Sequence, residues 1–187
     1  MKYKTLFLFF LSLATFAQQD KTTYVTVEGK KKPVSPFFTQ YDVNIPFRLN
    51  ENRGKVYTDG SKNEYWFLPN GLSTAVGFGI QQKKWVAISA HTGIDWLATQ
   101  KLVAIPLYIN FRLSPRIYDE SRLVFQAGFG RGFALGRGNL NAEFQKYSVG
   151  FETDEDLNIY LIASGYDFKN GFINTGYIGL GISVRRF

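Results

Sequence analysis

One stretch, Leu102–Leu113, constrains the fold of this chain more than any other. From Val103 onward its odd-numbered positions are all large and apolar, whereas its even-numbered positions are small or polar: Val103, Ile105, Leu107, Ile109, Phe111 and Leu113 against Ala104, Pro106, Tyr108, Asn110 and Arg112. Because successive side chains of a β-strand point to opposite faces, this alternation predicts a strand with one apolar face. A strand in a soluble protein usually has about 5–6 residues, and a strand that crosses a bilayer has about 9–11. The length therefore favours a membrane-crossing strand.

The same alternation recurs along the chain and predicts an all-β fold. The predicted strands are Ser35–Leu49, Leu72–Ile80, Val86–Trp96, Leu102–Leu113, Leu123–Phe133, Phe144–Phe151, Leu157–Phe168 and a last strand from Thr175 to the end. In the seventh strand both faces carry apolar residues, so the pattern does not assign its faces. Lys169-Asn170-Gly171 predicts a hairpin turn. Eight strands joined by short links favour an antiparallel up-and-down transmembrane β-barrel.

The alternation also fits a soluble, lipocalin-like ligand-binding barrel in the periplasm, which is the alternative interpretation. The polar face decides between them, because it consists mainly of Ser, Ala, Gly, Asn, Gln, Tyr and His, and almost all lysines except Lys146 fall in turns. Such residues suit the crowded interior of an eight-stranded barrel, and we expect the apolar face to carry no charge. The residues expected to fill the interior, with Arg112 paired to Asp95, are Phe38, His91, Tyr108, Arg112 and Gln126.

The N-terminal segment has the pattern of a cleaved export signal. Lys2 and Lys4 precede the apolar run Leu6–Phe16, and the small Ala17 follows it, so residues 1–17 are predicted to be a signal peptide. A buried N-terminal helix is the alternative. Residues 18–34, with the short run Thr22–Val27, are predicted to be a periplasmic lead-in, and residues 35–187 the barrel. No other apolar run approaches the length of a membrane-spanning helix.

Composition excludes several classes of function. The net charge of +7 falls to +5 once Lys2 and Lys4 are removed, and Lys30-Lys31-Lys32 is the only basic run, so no nucleic-acid partner is expected. The chain has no cysteine, which rules out disulfides and thiolate chemistry. Residues 152–156 are predicted to be a solvated acidic turn rather than a calcium site. We expect no metal and no cofactor.

A catalytic role is also not expected. Ser89 and His91 have the spacing of a serine–histidine pair on one strand, but they share the polar face with Asp95. A polar network inside the barrel explains all three residues without catalysis, because spacing without orientation is a weak signal.

The last twelve residues, GYIGLGISVRRF, form a glycine-containing alternating strand that ends in Phe187. This strand resembles the C-terminal signal of outer-membrane β-barrels, and residues 35–187 resemble the small eight-stranded OmpA/OmpX-like proteins of Gram-negative bacteria. The resemblance implies an outer-membrane location, contact with lipid, and insertion by the barrel-assembly machinery, which would recognise Phe187. Val184 and Phe187 have opposite parity, so either a bulge lies near Arg185-Arg186 or Phe187 does not face lipid.

The long connection Asn50–Gly71 is the candidate surface for interactions. Asp59-Gly60 between two strand-like runs predicts a hairpin that extends the first two strands, and it carries the aromatic residues Tyr57, Tyr65, Trp66 and Phe67. These aromatics are predicted either to bind an extracellular or surface protein or to belong to an interfacial aromatic belt. The predicted function is accordingly a non-conducting membrane barrel with a structural or surface-interaction role.

Overall fold

The computed structural model describes residues 35–58, 60–62, 64–118, 121–136, 141–153, 156–168 and 175–187. These residues form eight long strands and two short ones, with no helix long and apolar enough to cross a bilayer. The strands are β1 (Phe37–Leu49), β2 (Phe67–Pro69), β3 (Gly71–Gln82), β4 (Val86–Leu97), β5 (Leu102–Leu113), β6 (Arg116–Tyr118), β7 (Ser121–Leu135), β8 (Asn141–Thr153), β9 (Leu157–Phe168) and β10 (Thr175–Arg186).

Several predicted features lie outside the described residues. They are the signal peptide at residues 1–17, the lead-in at 18–34 with Thr22–Val27, Asp59 of the first connection, and the hairpin turn Lys169-Asn170-Gly171. The structure therefore does not test these predictions.

The eight long strands form a closed antiparallel barrel. Neighbouring strands pair in the order β10, β9, β8, β7, β5, β4, β3, β1, and the pairing of β1 with β10 closes the ring. The short strand β2 pairs with β1, and β6 pairs with β7. The prediction of an all-β, eight-stranded antiparallel barrel is therefore confirmed.

The strands are strongly staggered around the ring. A path that starts at Leu113 on β5 and follows the paired positions once around the ring returns to β5 at Val103, ten residues away. The path extends the β1–β3 register by one residue and passes through Phe125, Val149, Leu161, Leu180, Ile45, Leu72 and Trp96. With about 3.3 Å per residue and about 4.8 Å between strands, this stagger tilts the strands by about 40° from the barrel axis. One residue then advances about 2.5 Å along the axis, and paired positions rise about 3 Å from strand to strand.

The connections divide between the two ends of the barrel. At the lower end, where β1 begins and β10 ends, strands consecutive in the chain meet between β3 and β4, between β5 and β7, and between β8 and β9. At the upper end they meet between β1 and β3, between β4 and β5, between β7 and β8, and between β9 and β10. The longest link is therefore at the opposite end from the two termini of the barrel.

The two faces of every long strand differ in burial. On β5 the large apolar residues from Leu107 to Leu113 point outward and are exposed, whereas Tyr108, Asn110 and Arg112 point inward and are buried. The same difference in burial assigns the faces of β9, which the sequence left open, because Tyr160, Ile162 and Tyr166 point inward. The barrel thus has a largely polar, aromatic-containing interior and a largely apolar exterior.

Two expectations about charge placement were wrong. Glu152, which the sequence placed in a solvated acidic turn, is the penultimate residue of β8, points inward and is 1% exposed. The outward face is not free of charge, because Arg131 on β7, Glu143 on β8 and Asp167 on β9 all point outward. Glu143 and Glu152 point as strand alternation requires once β8 extends beyond its predicted ends. Arg131 and Asp167 lie within predicted strands, at outward positions of the alternation.

Candidate functional site

The centre of the interior is organised around a buried ion pair between Asp42 on β1 and Lys146 on β8. These strands are three positions apart in the ring, so the pair reaches across the lumen. Lys146 Nζ donates to Asp42 Oδ2 at 3.0 Å and to the Tyr108 hydroxyl at 3.2 Å. Gln40 Nε2 donates to the other carboxylate oxygen of Asp42 at 2.8 Å. Both charged side chains are at least 97% buried, and their mutual attraction offsets part of the desolvation cost of burying them.

A second cross-lumen layer lies nearer the upper end. The Tyr166 hydroxyl on β9 and the Ser73 hydroxyl on β3 both donate to the carboxylate of Asp95 on β4. Because β4 and β9 are opposite each other in the ring, the bond between Tyr166 and Asp95 spans the barrel. The predicted Arg112–Asp95 pair is therefore wrong, since hydroxyl groups satisfy this carboxylate.

The third layer closes the lower end. Glu152 accepts hydrogen bonds from two guanidinium groups, those of Arg112 and Arg185, with Arg185 Nη2 to Oε1 at 2.6 Å. Arg185 also donates to Gln81 Oε1 at 3.0 Å. Glu152 and both arginines are buried, so this carboxylate neutralises part of the charge of two buried cations.

The lower layer continues into the links that cover this end. Lys84 Nζ contacts both carboxylate oxygens of Asp156 at 2.6 and 2.8 Å, and Arg122 Nη1 donates to the backbone oxygen of Lys84 at 3.2 Å. The link 83–85 is thereby tied to Asp156 and to β7.

Inward-facing glycines make room for the large interior side chains. A Cβ atom at Gly132 would overlap the ring of Tyr166, and one at Gly77 would overlap the ring of His91. Gly128 faces Tyr108 and Gly181 faces Tyr160 in the same way. Gly128 and Gly132 are therefore explained by the large aromatic rings that nearby strands place over them.

Side chains of the described residues occupy the interior. A cavity beside Asn44, Ser73, Asp95, Tyr108 and Lys146 has a volume of about 10 Å³. That is the size of about one water molecule, whereas small-molecule pockets measure about 300–1,000 Å³. Phe38, His91, Tyr108, Arg112 and Gln126, the residues expected to fill the interior, are all buried there.

The filled interior predicts that the barrel does not conduct ions. Three cross-lumen layers of hydrogen bonds and ion pairs obstruct the path, and an eight-stranded barrel has space only for its own side chains. Planar-bilayer recordings of the purified protein should show no stable channel. Steady conductance that tolerates voltage would contradict this expectation.

Ser89 and His91 form a contact that resembles part of a serine–histidine–aspartate arrangement. The Ser89 hydroxyl lies 2.8 Å from His91 Nε2, while His91 Nδ1 lies 3.9 Å from Asp42 Oδ2, too far for a hydrogen bond. Ser89 and His91 are 3% and 1% exposed, and the His91 ring stacks on Tyr108 with centroids 5.1 Å apart. The arrangement therefore packs the interior, and the expectation of no catalytic role stays a prediction.

Among the described residues, no group of three or more His, Cys, Asp or Glu side chains has the geometry to hold a metal ion. Of the predicted acidic turn, the described carboxylates Glu152 and Asp156 pair with cations of the protein, Glu152 with Arg185 and Asp156 with Lys84.

The candidate interaction residues lie on the upper connection. Pairing of β1 with β2 ends at Leu49 and Phe67, and a single bridge between Val56 and Lys62 continues the hairpin further along. The four aromatic residues on it are all more than half exposed: Tyr57, Tyr65, Trp66 and Phe67. The Arg53 guanidinium lies 3.1 Å from the centre of the Trp66 ring, so the two side chains form a cation–π contact.

A register change separates this hairpin from the barrel wall. Asn44 pairs with Ser73 but Phe47 pairs with Pro69, which leaves one extra residue on the β2–β3 side. Gly71 has φ +149°, and a Cβ there would overlap the carbonyl oxygen of Trp96. Glycine is required at this bulge because the neighbouring backbone approaches so closely.

Phe187 lies at the lower mouth of the barrel. The β1–β10 register runs without interruption to Arg186, so there is no bulge near Arg185-Arg186. The Phe187 ring is 6.3 Å from the ring of the inward-facing Phe38 and lies beside the charged groups of Lys84 and Arg185. Of the two alternatives, the structure favours the one in which Phe187 is not on the outward apolar face.

Deleting Phe187 is expected to lower the amount of assembled barrel more than the stability of the barrels that do fold. The resemblance of the last strand to an assembly signal motivates this expectation, and the loss of one half-exposed ring costs the folded barrel little contact area. Heat-modifiable gel mobility measures the folded fraction. Phe38→Ala, which removes the partner ring and keeps Phe187, is the control, and equal assembly of both variants would contradict an assembly role.

The central ion pair was not predicted from the sequence. Asp42 and Lys146 are separated by 104 residues, and the weak alternation of β8 hid the orientation of Lys146. The sequence did contain one signal for this pair, because Lys146 is the only lysine inside a predicted strand. A lysine that points into the barrel requires an anionic partner.

Comparison of the chain with protein-family models found no match, and a search of curated proteins found no significant match either. The fold and the interior together define a closed eight-stranded antiparallel β-barrel with a filled, largely polar lumen.

Proposed function

We propose that this protein is an integral barrel of the outer membrane with a structural or surface-interaction role and a non-conducting interior. The observation that carries the proposal is the distribution of its faces. Large apolar side chains cover the outside, including Phe78, Leu107, Phe111, Leu161 and Ile178, whereas the ion pairs lie inside. A water-soluble monomer rarely exposes an apolar patch of more than a few hundred Å².

The height of the apolar surface fits a bilayer. On β5 the outward apolar side chains extend from Val103 to Leu113, which corresponds to about 25 Å along the barrel axis at the tilt derived above. The lipid-facing band of outer-membrane barrels is about 25 Å tall.

Aromatic residues gather near both edges of this band. Trp85, Phe37 and Tyr118 are exposed at the lower end, and Trp66, Trp96 and Phe133 at the upper end. All three tryptophans of the chain are therefore near an edge, as expected for residues that prefer the interface between lipid and water.

The interior supports the membrane proposal over the soluble ligand-binding alternative. A lipocalin-like barrel would turn its apolar face inward around a ligand cavity, but here Asp42, Lys146 and Glu152 point inward. The interior cavity of about 10 Å³ is also far below the roughly 300 Å³ of a small ligand site.

Cell fractionation tests the location. We expect the mature chain in the outer-membrane pellet after a wash with alkaline carbonate, and in a form whose gel mobility changes on boiling. Recovery in the osmotic-shock supernatant would contradict the proposal and favour the periplasmic alternative. The barrel-assembly machinery would act on the chain during insertion.

Shortening the upper connection tests the surface-interaction role. Replacing Arg53–Glu64 by a two-residue turn should leave the barrel folded, because long surface connections change stability little. If the exposed aromatics bind a surface protein, its recovery in pull-downs should fall with the deletion.

A variant with the full connection and with Tyr65 and Trp66 changed to Ser is the matched control. A loss of binding in both variants would assign recognition to the aromatic rings. Unchanged binding in both would contradict the surface-interaction role and leave these rings as part of an interfacial belt.

A further inference from the structure

The outward apolar face is interrupted on one side of the barrel. Arg131, Glu143 and Asp167 occupy paired positions on β7, β8 and β9, and all three are exposed outward. Gln145 lies one outward position below Glu143 on β8. We name Arg131, Glu143, Gln145 and Asp167 the polar notch.

The polar notch extends below the upper edge of the apolar band. Arg131 pairs with Leu107, and the stagger places its Cα about 7 Å below the level of Val103. Gln145 lies about 9 Å below that level, and Asp167 lies close to it. On the opposite side, Leu72, Ile94 and Trp96 remain apolar over the same heights. A charge that faces lipid below the interface is destabilising in a depth-dependent way, so a protein surface is a better neighbour for the notch than lipid.

The notch is self-complementary under a two-fold rotation about an axis parallel to the barrel axis. Such a rotation places β8 of one barrel opposite β8 of the other, and β7 of each opposite β9 of the other. Arg131 of one copy then faces Gly165 and Asp167 of the second, and the reverse contact is identical. The cation and the carboxylate are thus on the strands that such a dimer would bring together.

Small side chains on the same face permit close approach. The outward positions of β9 and β10 beside the notch are Ala163, Gly165 and Gly176. Small residues at a membrane interface let two backbones pack closely. The outward side chains near the expected axis on β8 are Gln145 and Tyr147, which are able to hydrogen-bond across it.

We propose that the polar notch on β7–β9 is a dimer interface, occupied in the membrane by a second copy of this chain with reciprocal Arg131–Asp167 ion pairs. This inference rests on the membrane location proposed above. It adds a specific surface, a symmetry and a pair of residues to that proposal.

Cysteine cross-linking in membranes tests the interface directly, because the chain contains no cysteine. Gln145→Cys places a thiol near the expected axis on β8. Thr74→Cys is the matched control, because Thr74 is exposed on β3, the strand opposite β8 in the ring, and lies within about one residue step of the same height. With a mild oxidant, Gln145→Cys should give a disulfide-linked dimer and Thr74→Cys should stay monomeric.

Charge exchange provides the second arm. In the Gln145→Cys background, Arg131→Asp and Asp167→Arg should each reduce dimer yield by like-charge repulsion, and the combined exchange should restore it. Heat-modifiable mobility checks that every variant is a folded barrel, so a folding defect is separated from a lost interface.

The outcomes distinguish failure of the two proposals. A chain absent from the membrane pellet contradicts the proposed location, and the dimer proposal fails with it. A membrane-inserted chain that gives no dimer at position 145, equal dimer at positions 145 and 74, or a cross-link to a different protein overturns the dimer alone. A position-specific dimer restored by charge exchange supports it.

Discussion

Glu152→Gln should destabilise the barrel by about 3–5 kcal/mol. The substitution keeps the size of the side chain but removes the negative charge shared by Arg112 and Arg185, both of which are buried. The glutamine side chain keeps one acceptor oxygen, but its NH2 group replaces the other and turns a donor toward the guanidinium groups. Besides the remaining acceptor, Arg112 has the Ser114 hydroxyl, and Arg185 has Gln81 and a longer contact to Asp156. Two buried guanidinium groups would then repel each other without the carboxylate that separates them. Urea unfolding in lipid vesicles, followed by tryptophan fluorescence, measures the change.

Glu64→Gln is the matched control, because Glu64 is an exposed glutamate on the upper connection. A surface substitution of this kind should change the free energy of unfolding by no more than about 0.5 kcal/mol. Similar effects for Glu152→Gln and Glu64→Gln would show that the lower layer does not depend on its shared carboxylate.

The central ion pair should be strongly non-additive in a double-mutant cycle. Lys146→Met leaves the Asp42 carboxylate buried with only Gln40 as a neutral donor, and Asp42→Asn leaves the Lys146 ammonium with the Tyr108 hydroxyl. Each single substitution should therefore cost about 3–5 kcal/mol, whereas the double substitution should cost much less because no buried charge remains unpaired.

The same unfolding assay measures all four corners of the cycle. Additive losses would contradict a direct interaction between Asp42 and Lys146. Ser73→Ala combined with Lys146→Met is a useful comparison, since Ser73 bonds Asp95 in the neighbouring layer and should couple to Lys146 more weakly than Asp42 does.

Local pattern was sufficient to predict the strands and most of their orientations. The strand Leu102–Leu113 has the predicted bounds, and so does Leu157–Phe168. This succeeds because the alternation of side chains between two faces has a period of two residues and is visible in a short window. Prediction failed at Glu152 because β8 continues past its predicted end into an acidic, turn-like composition. It failed at Arg131 because this outward position of a predicted strand carries a charge that the expectation of an uncharged face excluded.

The sequence by itself determined that alternating strands present one apolar and one largely polar face. It also placed five side chains correctly in the interior: Phe38, His91, Tyr108, Arg112 and Gln126. Only the tertiary structure decided which charges meet: Asp42 with Lys146, Glu152 with Arg112 and Arg185, and Asp95 with hydroxyl groups instead of Arg112. The physical reason is that side-chain direction is a local property of a strand, whereas cross-lumen partners depend on ring closure and on the ten-residue stagger. The tertiary structure also decided which outward charges form the polar notch, because the pairing of β8 with β7 and with β9 places Arg131, Glu143 and Asp167 side by side.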